Sequence, residues 1–447
     1  MKAKYINGLV NKNLAFIGLG AENLSFIKFL LKNKVVCRIT VCDPKSAAEL
    51  GDRFLEIKQL ARKNKMSKIA MMTGKNYDAR LTDFDIVFRS PGYPLFSANL
   101  VKARKAGVII DSPMRVFFKV CPTKNVIGVT GSKGKGTTSS LIYAILKSAK
   151  KDVYLGGNIG VAPFDFLEKL KKGSFVVLEL SSFQLEDLDS SPRIAILTNI
   201  YKEHLAPADP ANPNYHKSSK VYWEAKANIF KHQRKTDLLV VNEKLKAKSK
   251  KSEINAKVVF YGKSELSSSL IGDHNKENIA AAEEVAKVLK IKKETVARAV
   301  KVFRGLPHRL EFVAEKKGVR YLDDSFATMP EASIIALRSF DVPVVLLAGG
   351  ADKGLDFKSF AKEIKKRVKA LILFPGKGSD RLKKALSAIG YGVWAEVCTM
   401  EEAVRLAAGV SERGEVVLLS TGCASFGCFK NYKERGDKFK QEAKSIK

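Results

Sequence analysis

The sequence predicts an α/β protein built from parallel sheets, and three observations carry that prediction. Short apolar runs alternate with amphipathic stretches of helical period along the whole chain, which is the pattern of repeated strand–helix–strand units. Most of those runs end in Gly, Ser or Asn, where strands of an open sheet meet a ligand crevice at their carboxyl ends. A chain of 447 residues also exceeds one ordinary hydrophobic core, so two or three domains are expected.

Taken in order, the first block opens with LAFIGLG (14–20), a buried-strand pattern that runs into glycines, followed by the helical stretch SFIKFLLKNK. CRITVCD (37–43) is the next strand, and DIVFRSPG (85–92) is a later one that ends in a turn. Gly18 and Gly20 with Asp43 form part of a dinucleotide fingerprint, but Asn23 stands where a third glycine would allow close helix–sheet packing. The second block begins at NVIGVTG (125–131) and runs through FVVLELSS (175–182) and IAILTNI (194–200). The third follows LPHRLE (306–311), with strands in VPVVLLAGG, ALILFPG and EVVLLSTG. Boundaries are expected near residues 112 and 306, giving domains over 1–112, 113–306 and 307–447.

Composition narrows the function classes. Apolar residues make up 45% and charged residues 28%, as in a soluble globular protein. No run of eighteen apolar residues predicts a membrane span, and MKAKYINGLVNKN lacks the apolar core of a secretory signal, so a cytoplasmic location is expected. The six cysteines carry no CxxC spacing and read as reduced thiols. The 79 Lys and Arg against 46 Asp and Glu give a net charge of +33, which raises the possibility of nucleic acid. Yet the lysines are spread over every third of the chain, as in EIKKRVKA, with no partner stripe of aromatics. A Lys-rich solvated surface is the better reading, and its field would favour an anionic substrate.

The strongest local signal is VIGVTGSKGKGTT, an apolar strand, a glycine-rich turn and then the helical stretch SSLIYAILKSAK. Glycines let backbone N–H groups converge on phosphates, the helix start adds positive potential, and Lys135 can bridge terminal phosphate oxygens. Val129 replaces the first glycine of the commonest pattern, leaving the variant TGxxGK. Gly136 follows the lysine, so a hydroxyl for magnesium must come from Thr137 or Thr138.

The loop TGSKGKGTT is followed in order by GGNIG (156–160), LELSSFQLE (178–186), TNIYKEHL (198–205), EAKANIF (224–230) and HNKENIAAA (274–282). LPHRLEFV, DDSFATMPEAS, AGGADKGLDF and CASFGCFKNYKERGDKF come after them. The ordered set resembles the Mur ligases, which build the peptide stem of bacterial cell-wall precursors, and most closely the members that add D-glutamate. The resemblance implies a Rossmann-like N-terminal domain for the uridine diphosphate end of a sugar nucleotide, a central phosphate-loop ATPase-type domain and a Rossmann-like C-terminal domain. It implies an ATP- and magnesium-dependent amide ligase, with two magnesium sites, that joins D-glutamate to UDP-N-acetylmuramoyl-L-alanine through an acyl phosphate. A monomer is expected.

Residue by residue, the resemblance implies ATP contacts from Gly131, Ser132, Lys133, Gly134, Lys135, Gly136 and Thr137. Asn275, Asn278, Arg309 and Asp324 complete that set, with Arg309 reaching the γ-phosphate. Lys135, Glu179, His204 and Lys226 are the implied catalytic residues. Thr137, Glu179, His204 and a carbamylated Lys226 would hold metal, and Glu203 stands where these members usually have Asp. Ala21, Glu22, Asp43, Ser90, Pro91, Gly92, Asn158 and Ser181 would line the sugar-nucleotide pocket, and Thr328, Lys353, Ser425 and Tyr432 the amino-acid pocket. Phe326 replaces a lysine common in the D-glutamate-adding members, and TGCAS replaces a run closer to SPACAS. These two changes leave open a Mur-type ligase that uses L-glutamate or another amino acid. From a different class, the +33 charge leaves open a nucleotide-regulated nucleic-acid-binding protein.

Overall fold

A computed structural model describes residues 2–64, 68–205, 213–249, 253–352, 354–392 and 395–446, the side chains of residues 2, 3 and 64 excepted. The chain forms two compact units, one from residues 1–266 and 277–300 and the other from residues 267–276 and 301–447. Among the described residues no helix is long and apolar enough to cross a membrane.

The first unit holds two sheets. One consists of β1 (Asn13–Ile17), β2 (Arg38–Cys42), β3 (Lys68–Met72), β4 (Ile86–Arg89) and β5 (Ile109–Asp111), in the order β3-β2-β1-β4-β5 and parallel throughout. Chain order reverses between β1 and β4, so the turns after these strands, Gly18–Gly20 and Ser90–Gly92, flank the crevice where an open sheet binds its ligand. The other sheet holds β6 (Val126–Thr130), β7 (Val153–Gly157), β8 (Phe175–Glu179), β9 (Ile194–Leu197), β10 (Leu238–Asn242) and β11 (Lys257–Tyr261). Its order is β11-β10-β9-β6-β8-β7, again all parallel. Strands β6, β9 and β10 are buried along their full length, which explains why their sequences are continuous apolar runs without alternation.

One apolar core joins both sheets of this unit. The Phe26 ring, on the helix Ala21–Lys32, stacks on Phe164 from the central block at 4.4 Å between centroids, and Phe117 meets Phe164 edge-on. Polar ties cross the same boundary. The Arg89 side chain is 1% exposed and lies between Glu186 and Asp187, while Ser25 donates to Asp165.

The second unit has one six-stranded sheet, made of β12 (Glu311–Lys316), β13 (Val319–Asp323), β14 (Val344–Gly349), β15 (Val368–Phe374), β16 (Ala395–Glu396) and β17 (Val416–Leu419). The order is β12-β13-β17-β14-β15-β16, parallel except for the β12–β13 hairpin. That hairpin turns at Lys317 and Gly318, both in the left-handed region. Helices cover both faces, and apolar clusters lie on each side of the sheet.

Candidate active site

The phosphate loop is built from strand β6 and the helix Lys135–Ser148. Gly131 and Gly134 have φ of +147° and +83°. A Cβ on Gly131 would sit 1.9 Å from Thr198 Oγ1, and one on Gly134 would sit 2.3 Å from Asn278 Oδ1, so glycine is required at both positions. The β9 end stitches the loop in place. Ser132 N–H donates to Asn199 O (2.8 Å), Lys133 N–H donates to Asn199 Oδ1 (2.7 Å), and Thr198 Oγ1 donates to Lys133 O (2.7 Å). The Lys135 ammonium donates to the loop's own carbonyls, Gly131 O at 3.0 Å and Ser132 O at 2.8 Å. Gly136 is buried at the helix start. Thr138 is buried and donates to Asn278 Oδ1 at 3.2 Å, which leaves the half-buried Thr137 as the hydroxyl at the loop surface.

Three further elements bring charged groups to this loop. Strand β8 ends at Glu179, which is buried and accepts a 2.8 Å hydrogen bond from Asn158 Nδ2. The close approach of these two segments depends on Gly157, where a Cβ would lie 2.2 Å from Glu179 O. From the helix Ser219–Lys231, Lys226 Nζ donates to Gly131 O at 2.8 Å, beside Lys135, and lies over the Tyr222 ring. Burial and then the Lys135 cation push the Lys226 ammonium well below its ordinary range, against the pull of Glu203 and Glu179. His204, at φ +56°, packs its ring against Phe183 and Tyr222. Loss of water around that ring lowers its pKa, and Lys226, Lys135 and Lys133 add to the shift against Glu203. Glu203 itself pairs with Lys133 at 2.6 Å, so the longer acid at this position reaches the loop. Burial raises the Glu203 pKa, but Lys133 more than offsets it.

This donor set fits a divalent cation: a carboxylate, an imidazole whose burial favours the neutral form, and a surface hydroxyl. Burial that disfavours the Lys226 ammonium also fits the carbamate that the resemblance implies, because carbamylation needs the free base.

At the first sheet, Ala21, Glu22, Asp43 and Ser90–Gly92 all come to the carboxyl ends of β1, β2 and β4. Asp43 is buried and accepts from Leu19 N–H (2.8 Å) and Lys45 N–H (3.0 Å), so it shapes the glycine turn. A Cβ on Gly18 would lie 2.8 Å from Ser90 Oγ, which places the two turns in contact. Glu22 bonds Gln184 Nε2, and Gln184 in turn closes a capping box with Ser181. Burial pushes the Glu22 carboxyl up to about 7, against the Gln184 hydrogen bond. Asn158, expected at the sugar nucleotide, donates to Glu179 at the end of β8. Sequence reasoning missed Gln184, Thr198, Asn199 and Tyr222, whose hydroxyl lies 2.9 Å from Ser132 Oγ. For Thr198 and Asn199 the signal was present, since both stand at the polar end of an apolar strand.

In the second unit Asp324 is buried and accepts from Ser420 Oγ (2.7 Å) and Leu310 N–H (3.2 Å). Burial raises its carboxyl to about 7. Thr328, Ser425 and Tyr432 surround one set of turns. Gly422 N–H donates to Ala327 O, Ser325 Oγ donates to Tyr432 O, and Ala351 bridges Ala424. Lys353 lies outside the described residues. Gly422 has φ +61° and would place a Cβ 2.7 Å from the Phe360 ring, so glycine at 422 is a backbone requirement that the alanine of the SPACAS-like run would meet only with strain. Asn275, at the start of the helix His274–Val288, belongs to this unit and donates to Ile271 O, whereas Asn278 belongs to the first.

The comparisons with known proteins agree along the whole length. Residues 12–112 match the MurD-like N-terminal domain of Mur ligases, 129–270 the Mur ligase middle domain, and 308–423 the Mur ligase glutamate ligase domain. The UDP-N-acetylmuramoylalanine--D-glutamate ligase of Clostridium tetani is 38% identical over 98% of this chain and 98% of its own.

The chain belongs to the Mur ligase family.

The enzyme of the same name from Clostridium perfringens is 36% identical, with 97% of each chain covered. Among solved structures, MurC of Thermotoga maritima aligns at a TM-score of 0.57 and 18% identity, covering 98% of this chain and 100% of its own. MurF of the same organism, in complex with ADP, aligns at 0.56 and 19%, covering 98% and 96%. At those identities the two structures support the fold of this Mur ligase and nothing finer.

Proposed function

We propose that this chain is the ATP-dependent ligase that joins D-glutamate to UDP-N-acetylmuramoyl-L-alanine in peptidoglycan precursor synthesis. The observation that carries the reading is Lys226, a buried lysine turned onto the phosphate loop of a Mur ligase chain. An ammonium is disfavoured there, and a carbamate would supply an anionic oxygen at that place.

In the proposed reaction a carboxylate oxygen of the acceptor attacks the γ-phosphorus of ATP, and the bond to the bridging oxygen of ADP breaks. The glutamate amine then attacks the acyl carbon, loses a proton, and phosphate leaves with the electron pair of the broken C–O bond. Both steps gather anions, so the work of the site is positioning and charge neutralisation. The loop amides and Lys135 cradle the phosphates. Magnesium, held by Thr137, Glu179, His204 and carbamylated Lys226, would neutralise phosphate charge. Ala21, Glu22, Asp43, Ser90, Pro91, Gly92, Asn158 and Ser181 receive the sugar nucleotide, with Asp43 also shaping the turn. Arg309 meets the γ-phosphate, and Thr328, Ser425, Tyr432 and Lys353 receive the amino acid. A cytoplasmic, monomeric enzyme acting without nucleic acid completes the proposal.

The test is phosphate release from ATP and magnesium with UDP-N-acetylmuramoyl-L-alanine, bicarbonate, and either D- or L-glutamate, with the product mass read in parallel. Amide formation with D-glutamate is expected. Turnover with L-glutamate alone would move the specificity to another branch of the family, and silence with both would overturn the assignment.

A further inference from the structure

Phe326 is an anomaly for an exposed turn beside an anion-handling site. Its ring is 42% exposed, and it stands where the D-glutamate-adding members commonly carry lysine. The ring has a partner. The Arg309 guanidinium carbon lies 4.2 Å from the Phe326 ring centroid, well within cation–π range. Tyr432 braces the ring from the side, edge-on at 5.1 Å and 86°.

The backbone under this pair is fixed unusually firmly. Phe326 N–H donates to His308 O at 3.0 Å, and Leu310 N–H donates to Asp324 Oδ1 at 3.2 Å, so both neighbours of Arg309 are tied to the Asp323–Phe326 turn. His308, itself at φ +63°, bonds Asp323 Oδ2 through Nδ1 at 2.7 Å. Arg435, buried, clamps the turn from below through Ser325 Oγ (2.9 Å) and Ser325 O (2.8 Å). Among the described residues no carboxylate forms an ion pair with Arg309. The Phe326 ring is thus the contact against its guanidinium, with the charge of Asp324 nearby, and a guanidinium against a ring can still offer N–H groups to an anion. A lysine in place of Phe326 would instead put a second positive charge against the first.

We propose that Phe326 is a positioning residue that steadies the Arg309 guanidinium for a phosphoryl oxygen of the nucleotide. The inference rests on the reading of Arg309 as the γ-phosphate arginine. It assigns to position 326 a nucleotide-side role, although its neighbour Tyr432 belongs to the amino-acid set.

The test compares wild type with Phe326→Leu, Phe326→Tyr and Phe326→Lys, each alone and with Arg309→Ala, in the full chain and with melting temperature as a folding control. Steady-state phosphate release gives kcat/KM for ATP and KM for D-glutamate. Calorimetric titration with a non-hydrolysable ATP analogue and magnesium gives affinity independently of turnover. Phe326→Leu should lower kcat/KM for ATP about two- to fivefold, the size of an exposed cation–π contact, with KM for D-glutamate unchanged. Tyrosine should keep activity within about twofold of wild type, and lysine should fall below leucine, because like charges repel. In the Arg309→Ala background the three substitutions should have no further effect. A change confined to KM for D-glutamate, or an equal loss with and without Arg309, would overturn the proposal. If wild type itself shows no ligase turnover, the reading of the reaction fails. The analogue titration then decides the positioning role, since loss of the Phe326 dependence there would overturn it as well.

Discussion

Replacing Arg89 by methionine should weaken the first unit by about 4 kcal/mol, at the middle of the range for stripping one partner from a buried ion pair. The side chain is 1% exposed, with Nη2 3.1 Å from Asp187 and Nη1 3.5 Å from Glu186, whose side chains are 7% and 10% exposed. It also donates to the buried carbonyls of Tyr93 and Phe183, each at 2.9 Å. Methionine keeps much of the stem's volume but leaves two carboxylates and two carbonyls without that donor. Asp187 retains Ser112 Oγ at 3.2 Å, which holds the cost below the top of the range. For a unit of this size roughly 2–4 °C per kcal/mol is usual, so the melting temperature should fall by roughly 10 °C.

The loss should also depend on pH. Burial already raises the Glu186 carboxyl while Arg89 opposes the shift. Without Arg89 the folded-state pKa rises further above the unfolded value. Such a group contributes stability below its unfolded pKa and loses it as pH rises through the folded one. The gap between wild type and Arg89→Met should therefore widen from pH 5 to pH 8. Scanning calorimetry at both pH values reads it, and Glu186→Gln with Asp187→Asn should recover part of the loss in the methionine background. A fall under about 3 °C, or an equal fall at both pH values, would refute the account of Arg89 as a buried charge bridging the two sheets.

Other expectations concern the loop and the second unit. Gly131→Ala places a methyl 1.9 Å from Thr198 Oγ1 at φ +147°, so affinity for a fluorescent ATP analogue should drop at least about tenfold; binding within twofold of wild type would contradict the steric argument. If the proposed carbamate holds metal, Lys226→Met should cut turnover by about a hundredfold or more, at or beyond the losses seen when partners around a metal site are removed. Wild type in carbon-dioxide-depleted buffer should slow and recover on adding bicarbonate, while the variant stays insensitive. Asp324→Asn should remove a carboxyl whose folded pKa is raised to about 7. The stability advantage of wild type over this variant should be largest below the unfolded pKa, near pH 4, and shrink as pH rises through 7, read from paired melting curves.

The sequence by itself determined the class of fold and pointed to the candidate site. Buried parallel strands must be continuous apolar runs, and a phosphate loop must put glycines between a strand and a helix, so LAFIG, VIGVT and TGSKGKGTT were legible directly. Glu179 and His204 could be placed because strand ends are readable from where apolarity stops. Lys226 was different, an ordinary helix lysine by local pattern, and only packing shows it buried against Gly131 O. Only the tertiary structure shows that Asn158 donates to Glu179, that Gln184 bonds Glu22, and that Gly422 sits at a positive φ beside Phe360. Phe326 read as the loss of a charge until its ring was found beneath Arg309. The reason is physical: strand period, glycine turns and helix starts are written within a few residues. Burial, desolvation and the partner of a side chain are set by segments a hundred residues away, and no local pattern records them.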